Sequence, residues 1–116
     1  MNHDLCERFL GFAISVLRFI KTVPRNDENN VIIHQLGKSC TSIGANYEES
    51  QAASSKADFY HKIKISLREA RETLYWLKII EGLNLGDRAK LREIMIESFE
   101  IKQILGSISS SQKEKQ

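Results

Sequence analysis

Acidic and histidine side chains are the residues in this sequence that could hold a metal ion or transfer a proton. Asp58-Phe-Tyr-His61 comes nearest to the Glu-x-x-His spacing of metal-binding bundles, but it occurs once, and such sites need the motif on two helices. Glu48, Glu49, Glu69 and Glu72 could pair for acid–base chemistry, yet the last two project away from the expected core. We therefore predict no metal site and no cofactor.

Motifs for a nucleophile or a phosphate-binding loop are absent from the sequence. It contains no GxxxxGK[ST], GxGxxG or GxSxG, and no cysteine or serine has a histidine at a spacing typical of a catalytic base. Cys6 and Cys40 form no CxxC or Cys/His pair and are predicted to be buried thiols. The sequence thus predicts a protein that is not an enzyme. An enzyme acting on small molecules is disfavoured because the expected core is mostly apolar.

Basic residues and one tyrosine recur at helical spacing between residues 64 and 78. They share one flank of the expected third helix, and they are Lys64, Arg68, Arg71, Tyr75 and Lys78. Such a basic stripe can follow phosphates and stack a base, so we predict contact with RNA or another nucleic acid. The alternative is an ordinary solvated helix face.

Two of the expected helices carry more apolar residues than one core-facing stripe requires. The surplus residues are Leu10, Ile14 and Leu17 on the first helix and Ile65, Trp76, Ile79 and Ile80 on the third. A tryptophan with aliphatic neighbours on an outer face is typical of an interface, so we predict self-association. A protein partner that docks on the Trp76 face is the second hypothesis. The alternative is that these residues cover the ends of loops.

Turn residues are few, because 116 residues include one proline and six glycines. They divide the chain into four helices, expected over about 4–22, 31–53, 55–82 and from Gly86-Asp87 to near Gly106. The expected caps are Asp4 with Glu7, Asn29-Asn30, and Ser55 with Asp58. Residues 1–106 are predicted to form one domain, and residues 107–116 a frayed polar tail.

Apolar residues repeat in a 3,4 pattern in all four segments, which is typical of left-handed helix packing. We predict an all-α fold, an up-down-up-down antiparallel four-helix bundle. The residues expected in its core are Leu5, Phe9, Phe12, Val16, Phe19, Val23, Ile33, Leu36, Cys40, Ile43, Tyr47, Phe59, Ile63, Leu67, Ala70, Leu74, Leu77, Leu91, Ile94, Ser98, Ile101, Leu105 and Ile108.

The overall charge is nearly balanced, with 17 Lys and Arg against 15 Asp and Glu for a net charge of +2. This balance does not by itself indicate a nucleic-acid binder, so a basic surface must be local. Arg8, Arg18 and Lys21 interrupt the first apolar stretch, and no basic and apolar leader precedes it. We therefore expect a soluble, cytoplasmic protein that does not bind a membrane.

Three stretches between residues 42 and 73 are distinctive in both order and spacing. They read Ser42-Ile-Gly-Ala-Asn-Tyr-Glu-Glu-Ser50, Asp58-Phe-Tyr-His-Lys62 and Ser66-Leu-Arg-Glu-Ala-Arg-Glu-Thr73. This region, about residues 35–85, resembles a family of small four-helix bundles first noticed as reading frames within intervening sequences of bacterial 23S ribosomal RNA genes. Tyr47, Ser50 and the connection 51–56 depart from the usual pattern of that family.

The resemblance implies a cytoplasmic bacterial protein that assembles as a homopentamer, as some members do. A related branch, the accessory proteins of diversity-generating retroelements, engages a reverse transcriptase and nucleic acid, which makes these the implied partners. Asn46, Glu49, Glu69 and Glu72 lie in the matching stretches, and we expect them to fix which helices pair. For Asn46 and Glu49 the alternative is contact with a ligand or with nucleic acid.

Overall fold

Four α-helices make up the protein in a computed structural model, which describes residues 2–114 and the side chains of residues 4–112. They are α1 (Asn2–Ile20), α2 (Asp27–Gln51), α3 (Lys56–Gly82) and α4 (Arg88–Glu114). No strand occurs between residues 2 and 114. Consecutive helices pack against each other, and α1 also contacts α4, so that the four enclose one core. The predicted all-α bundle is confirmed.

Contacts between the helices join the beginning of one to the end of the next. The rings of Phe9 in α1 and Tyr47 in α2 meet edge to face, with centroids 5.1 Å apart. The Tyr60 hydroxyl near the start of α3 lies 3.1 Å from the Ser111 hydroxyl near the end of α4. These contacts are the ones that antiparallel neighbours make. The left-handed twist stays a prediction.

The residues that the 3,4 pattern assigned to the core are buried, with three exceptions. Leu5, Phe59 and Ile108 are half-buried and pack against the core. Ala13 and Ile20 are buried as well. Helix α1 therefore buries a wider stripe than predicted, because it packs against both α2 and α4.

Helix α1 begins earlier than expected and ends before the Val23-Pro24 pair. Asp4 therefore lies in its first turn and is not the capping residue. A negative charge at this position still favours the helix N-terminus. The backbone amide of Val23 donates to the carbonyl oxygen of Ile20 at 3.0 Å, which closes the last turn ahead of the proline.

Helix α2 begins at Asp27 rather than at Val31, so the cap predicted at Asn29-Asn30 is wrong. Asn26 is the N-cap, and its side-chain oxygen accepts from the backbone amide of Asn29 at 2.7 Å. Asn29 itself is buried, and its side-chain amide donates to the carbonyl oxygen of Pro24 at 3.0 Å. This bond fixes the connection between α1 and α2 against the first turn of α2.

Helix α3 has the cap that the sequence predicted. The Ser55 hydroxyl accepts from the backbone amide of Asp58 at 3.1 Å, and the Asp58 carboxylate accepts from the backbone amide of Ser54 at 3.3 Å. The helix ends at Gly82, also as predicted.

The turn between α3 and α4 packs against the end of α1. Gly86 has a φ of 76°, and a Cβ added there would lie 2.9 Å from the ring of Phe19. The next residue, Asp87, donates its backbone amide to the Thr22 hydroxyl at 2.9 Å. Its carboxylate accepts from the backbone amide of Lys90 at 3.0 Å and so caps α4. Glycine is needed at position 86 both for the backbone conformation and for the close approach.

Helix α4 continues to Glu114, so the helix end predicted near Gly106 is wrong. A glycine inside a helix costs about 1 kcal/mol relative to alanine and does not end a helix whose later residues are packed. Ile108 packs against the core, and the Ser111 hydroxyl contacts Tyr60. The division of the chain at residue 106 and the fraying of residues 107–116 stay predictions. Residues 115–116 lie outside the described part of the chain.

Candidate nucleic-acid interface

The basic stripe lies fully on the surface of α3. Each of its members, Lys64, Arg68, Arg71, Tyr75 and Lys78, is exposed. At a rise of 1.5 Å per residue the stripe is about 21 Å long. Within the described residues its one ion pair joins Arg68 Nη2 to Glu69 Oε2 at 3.7 Å. That pair is long and the Arg68 side chain is 69% exposed, so the guanidinium stays available to another anion.

Tyr75 is the aromatic member of the stripe. Its ring packs edge to face on the neighbouring Trp76, with centroids 5.3 Å apart. Although this contact holds the ring, 58% of the residue is exposed. An aromatic ring that is fixed on one side and open on the other suits stacking against a base.

A groove of about 440 Å³ runs beside the stripe, between α3 and α4. Its lining residues are Leu74, Lys78, Met95, Ile96, Phe99 and Glu100. We call it the α3–α4 groove. Lys78 belongs to both the stripe and the groove, so the two surfaces are continuous.

Phe99 and Ile96 on α4 leave large apolar areas exposed in this groove. The Lys102 ammonium group lies above the Phe99 ring, 5.0 Å from its centre. Sequence reasoning missed these three residues. The signal is present in the sequence, since Ile96 and Phe99 fall outside the predicted core stripe of α4.

Arg8 ties α1 to α4 next to the groove. Its Nε and Nη2 atoms each bond a separate oxygen of Glu97 at 2.7 Å, and Nη2 also bonds Glu100 at 2.9 Å. The hydrogen bonds that the Arg8 guanidinium donates to Glu97, more than the one it donates to Glu100, raise its pKa above the ordinary value. Glu100, which lines the groove, therefore has its negative charge paired with a cation.

The apolar residues predicted to be surplus on α1 are exposed. Leu10, Ile14 and Leu17 lie on the flank of α1 beside α2, where the backbones approach closely. A Cβ added to Gly44 would lie 3.3 Å from Phe9 Cβ, and one added to Gly37 would lie 3.9 Å from the Leu17 side chain. The exposed side chains thus flank a glycine-lined seam, on a different pair of helices from the α3–α4 groove.

The apolar residues predicted for the outside of α3 are less exposed than those of α1. Ile80 is completely buried in the core, so its placement on an outer face is wrong. Ile65, Trp76 and Ile79 are half-buried, and Trp76 packs against the core. Its indole Nε1 donates to the Glu72 carboxylate at 3.3 Å. The stripe assigned from spacing alone was too narrow, because α3 is covered by both α2 and α4.

The polar contacts that join α2 to α3 involve different residues from those predicted. Asn46 donates to the carbonyl oxygen of Ser42 in its own helix at 2.9 Å, and Glu49 is exposed. Glu69 and Glu72 are half-buried on α3. The hydrogen bonds that cross the interface are Ser66 Oγ to the carbonyl oxygen of Ile43 at 2.7 Å and Thr73 Oγ1 to Ser39 Oγ at 2.9 Å. Small buried hydroxyls were the missed signal.

A second groove, of about 520 Å³, lies between α1 and α4. It contains the Arg8–Glu97 pair, with Arg18, Lys90 and Glu93 along its length. Charges of both signs line it, three cations and two carboxylates. Across the described chain, histidine, cysteine and acidic side chains form no group of three that could hold a metal ion. Nor is any helix there long and apolar enough to cross a membrane.

Two comparisons relate the chain to known proteins. The model of the family described as 23S rRNA-intervening sequence protein matches residues 1–107. A crystal structure of a protein of unknown function from the S23 ribosomal protein family of Bacteroides thetaiotaomicron is similar, with a TM-score of 0.81 and 36% sequence identity. The similarity covers 90% of this chain and 96% of that one. A search of the curated proteins found no match.

Proposed function

The chain belongs to the family of 23S rRNA-intervening sequence proteins, and from this we propose that it is a non-enzymatic homo-oligomer that binds RNA along the basic stripe of α3. The observation that carries the proposal is the uniform exposure of Lys64, Arg68, Arg71, Tyr75 and Lys78 on one helix. Four cations over about 21 Å match a run of backbone phosphates better than a single small anion.

Self-association is the second part of the proposal, and the apolar flank of α1 supports it. Leu10, Ile14 and Leu17 expose large apolar side chains next to one another, as interface cores do. In a closed ring each copy would add its own basic stripe, so that a modest field from one chain is repeated around the assembly. Five copies are what the family resemblance implies.

A double substitution in the stripe tests RNA binding. Arg68→Ala with Arg71→Ala should weaken binding of a fluorescently labelled RNA and lower the slope of log K against log salt by about 1.4 to 1.8, the value for two lost phosphate contacts. The helical circular dichroism should not change, because both side chains are exposed. The matched control is Arg25→Ala with Lys38→Ala, which removes two exposed cations outside α3. If the affinity of the unaltered protein for RNA does not depend on salt concentration, the proposal is contradicted.

A protein-interaction scaffold is the second candidate function. Trp76, with Ile65 and Ile79, forms a half-buried apolar flank on α3 whose remaining exposed area could receive a polypeptide such as a reverse transcriptase. Pull-down from the extract of its own cells, with and without nuclease, separates the candidates. A partner that stays bound after nuclease treatment and is lost with Trp76→Ala supports the scaffold. A partner released by nuclease supports RNA binding.

A further inference from the structure

The α3–α4 groove combines an aromatic floor with cations at its edge. Phe99 and Ile96 expose apolar surface in it, and Lys78 enters from the basic stripe. The Lys102 ammonium group lies 5.0 Å from the centre of the Phe99 ring. The one carboxylate that lines the groove, that of Glu100, is bonded to Arg8 at 2.9 Å. Negative charge at the groove is thus paired with a cation, while two lysines beside it form no ion pair with the residues described.

We propose that this groove is a subsite for an unpaired base of single-stranded nucleic acid whose phosphates follow the basic stripe. The proposal rests on the proposed function, because the stripe supplies the phosphate contacts. It goes further by naming the strandedness of the ligand and the residue, Phe99, on which a base stacks. Aromatic rings beside a cationic track are the means by which proteins bind single strands without reading their sequence.

The dimensions agree with a short single-stranded segment. The groove is an open depression of about 440 Å³, which gives a base access to the Phe99 ring without enclosing the base. The stripe is about 21 Å long, which spans about six phosphates at 3.4 Å per nucleotide and fewer when the strand is extended. The Lys102 ammonium group lies over the Phe99 ring, so a base that stacks on this ring has to displace it, and the displaced cation is then free to bind a phosphate.

A duplex does not offer the same contacts. Its bases are stacked on one another and paired, so their faces cannot reach a ring at the floor of a groove. The basic stripe alone could still attract the duplex backbone. The preference for a single strand therefore depends on Phe99 and not on the stripe.

A second copy of this chain fits the groove less well than nucleic acid does. Lysine is depleted from the buried centres of protein interfaces, yet Lys78 and Lys102 adjoin the exposed ring of Phe99. On α1 the exposed large apolar side chains are those of Leu10, Ile14 and Leu17. The lysines beside Phe99 thus favour a polyanion at the α3–α4 groove.

Fluorescence anisotropy with labelled eight-nucleotide oligo-U RNA, oligo-dT DNA and a blunt RNA duplex tests the subsite on the full-length protein. Phe99→Ala should weaken binding of both single strands about tenfold, the loss expected for one stacked base, without changing the salt slope. Duplex binding should not change. Lys78→Ala should instead lower the salt slope for all three probes. Equal effects on the RNA and DNA strands mean that the base is recognised, and an effect on one strand alone contradicts stacking that is independent of sequence.

Two further variants keep the test decisive. Phe99→Leu retains apolar area without a ring and should bind as weakly as Phe99→Ala, whereas Phe99→Tyr should bind nearly as tightly as the original protein. Val31→Ala removes an exposed apolar side chain on α2 and is the control that should change nothing. Circular dichroism establishes that each variant is folded.

The outcomes separate this subsite from the proposed function. Equal affinity for single strand and duplex, or no effect of Phe99→Ala, overturns the subsite and leaves binding along the stripe intact. Dissociation of the assembly by Phe99→Ala in sedimentation also overturns it, because a second copy then covers the groove. If the protein binds none of the three probes at low salt, the proposed function and the subsite are both overturned.

Discussion

Ser66 in α3 donates its hydroxyl hydrogen to the carbonyl oxygen of Ile43 in α2, at 2.7 Å and away from solvent. That carbonyl already accepts within its own helix, so the serine uses its second lone pair. The bond fixes the position of α3 along α2 in a way that apolar packing alone does not. Ser98 in α4 is equally buried, but its hydroxyl has no partner among the residues described.

These two serines should respond to alanine substitution with opposite signs. Ser98→Ala removes an unpaired buried hydroxyl and should raise the free energy of unfolding by about 1 kcal/mol. Ser66→Ala removes a paired one and should lower it by about 1 kcal/mol. Urea unfolding followed by circular dichroism measures both. A loss of stability in Ser98→Ala as large as that in Ser66→Ala would mean that Ser98 is bonded in solution.

Glycine substitutions should distinguish the α1–α2 seam from exposed helix positions. Gly11→Ala places a methyl group in open space and should stabilise the protein by up to about 1 kcal/mol through helix propensity. Gly44→Ala gains the same helix propensity but places its Cβ 3.3 Å from Phe9 Cβ. Its free energy of unfolding should therefore be lower than that of Gly11→Ala by about 1 kcal/mol or more. Thermal unfolding compares them. Equal melting temperatures of the two variants would show that the α1–α2 seam accommodates a methyl group at position 44 without strain.

The two cysteines should differ in reactivity. Burial raises the pKa of the Cys40 thiol from its ordinary value of 9.0 to about 12. Burial, with smaller effects from the carboxylates of Glu48 and Glu7, also raises the pKa of Cys6, which is half-exposed. Because the thiolate is the reactive form, a disulfide reagent at pH 8 should modify Cys6 slowly and Cys40 only after denaturation. Cys6→Ser isolates Cys40, and rapid reaction of that native variant would contradict the expectation.

The Cys40 pKa also implies a pH dependence of stability. Since the folded-state pKa lies above the unfolded value of 9.0, the stability contributed by the neutral thiol is fully present below about pH 9. It is lost as pH rises from 9 toward 12. Urea unfolding of the original protein and of Cys40→Ala across this range should show a steeper decline for the original protein. If the free energies of unfolding of the two proteins decline in parallel with pH, ionisation of Cys40 does not contribute to the pH dependence of stability.

Charge introduced into the apolar flank of α1 should break the assembly. Leu17→Glu places a carboxylate where Leu10 and Ile14 are exposed, and burying it in an interface would be strongly unfavourable. Sedimentation velocity should then show a single chain with unchanged circular dichroism. Val31→Glu, at a more exposed apolar position on α2, is the control and should leave the assembly intact. Persistence of the assembly in Leu17→Glu would place the interface elsewhere.

Features set by neighbouring residues could be predicted from the sequence. The cap of α3 depends on Ser55 and Asp58, three residues apart, and it forms as expected. The core follows from the 3,4 repeat, since a residue's position on a helix fixes which way it points. The basic stripe was found in the same way, and its exposure agrees with that assignment.

Features that depend on packing between helices could not be predicted in this way. Ile80 lies at the edge of the predicted stripe, and α2 and α4 together cover it. A glycine such as Gly106 is typical of a helix end, but α4 continues to Glu114. Residues after Gly106 pack against other helices, as Ser111 does against Tyr60. The α3–α4 groove arises only when Lys78 and Phe99 come together from two helices.

The order in which the helices meet has a consequence for how the chain is made. Three of the four helix pairs in contact are consecutive in the chain, and only α1 with α4 joins the first described helix to the last. Topologies of this kind collapse within microseconds to milliseconds, far faster than a ribosome adds residues. Helices α1, α2 and α3 can therefore pack together during translation. The ion pair between Arg8 and Glu97 forms last, after α4 has left the ribosomal exit tunnel.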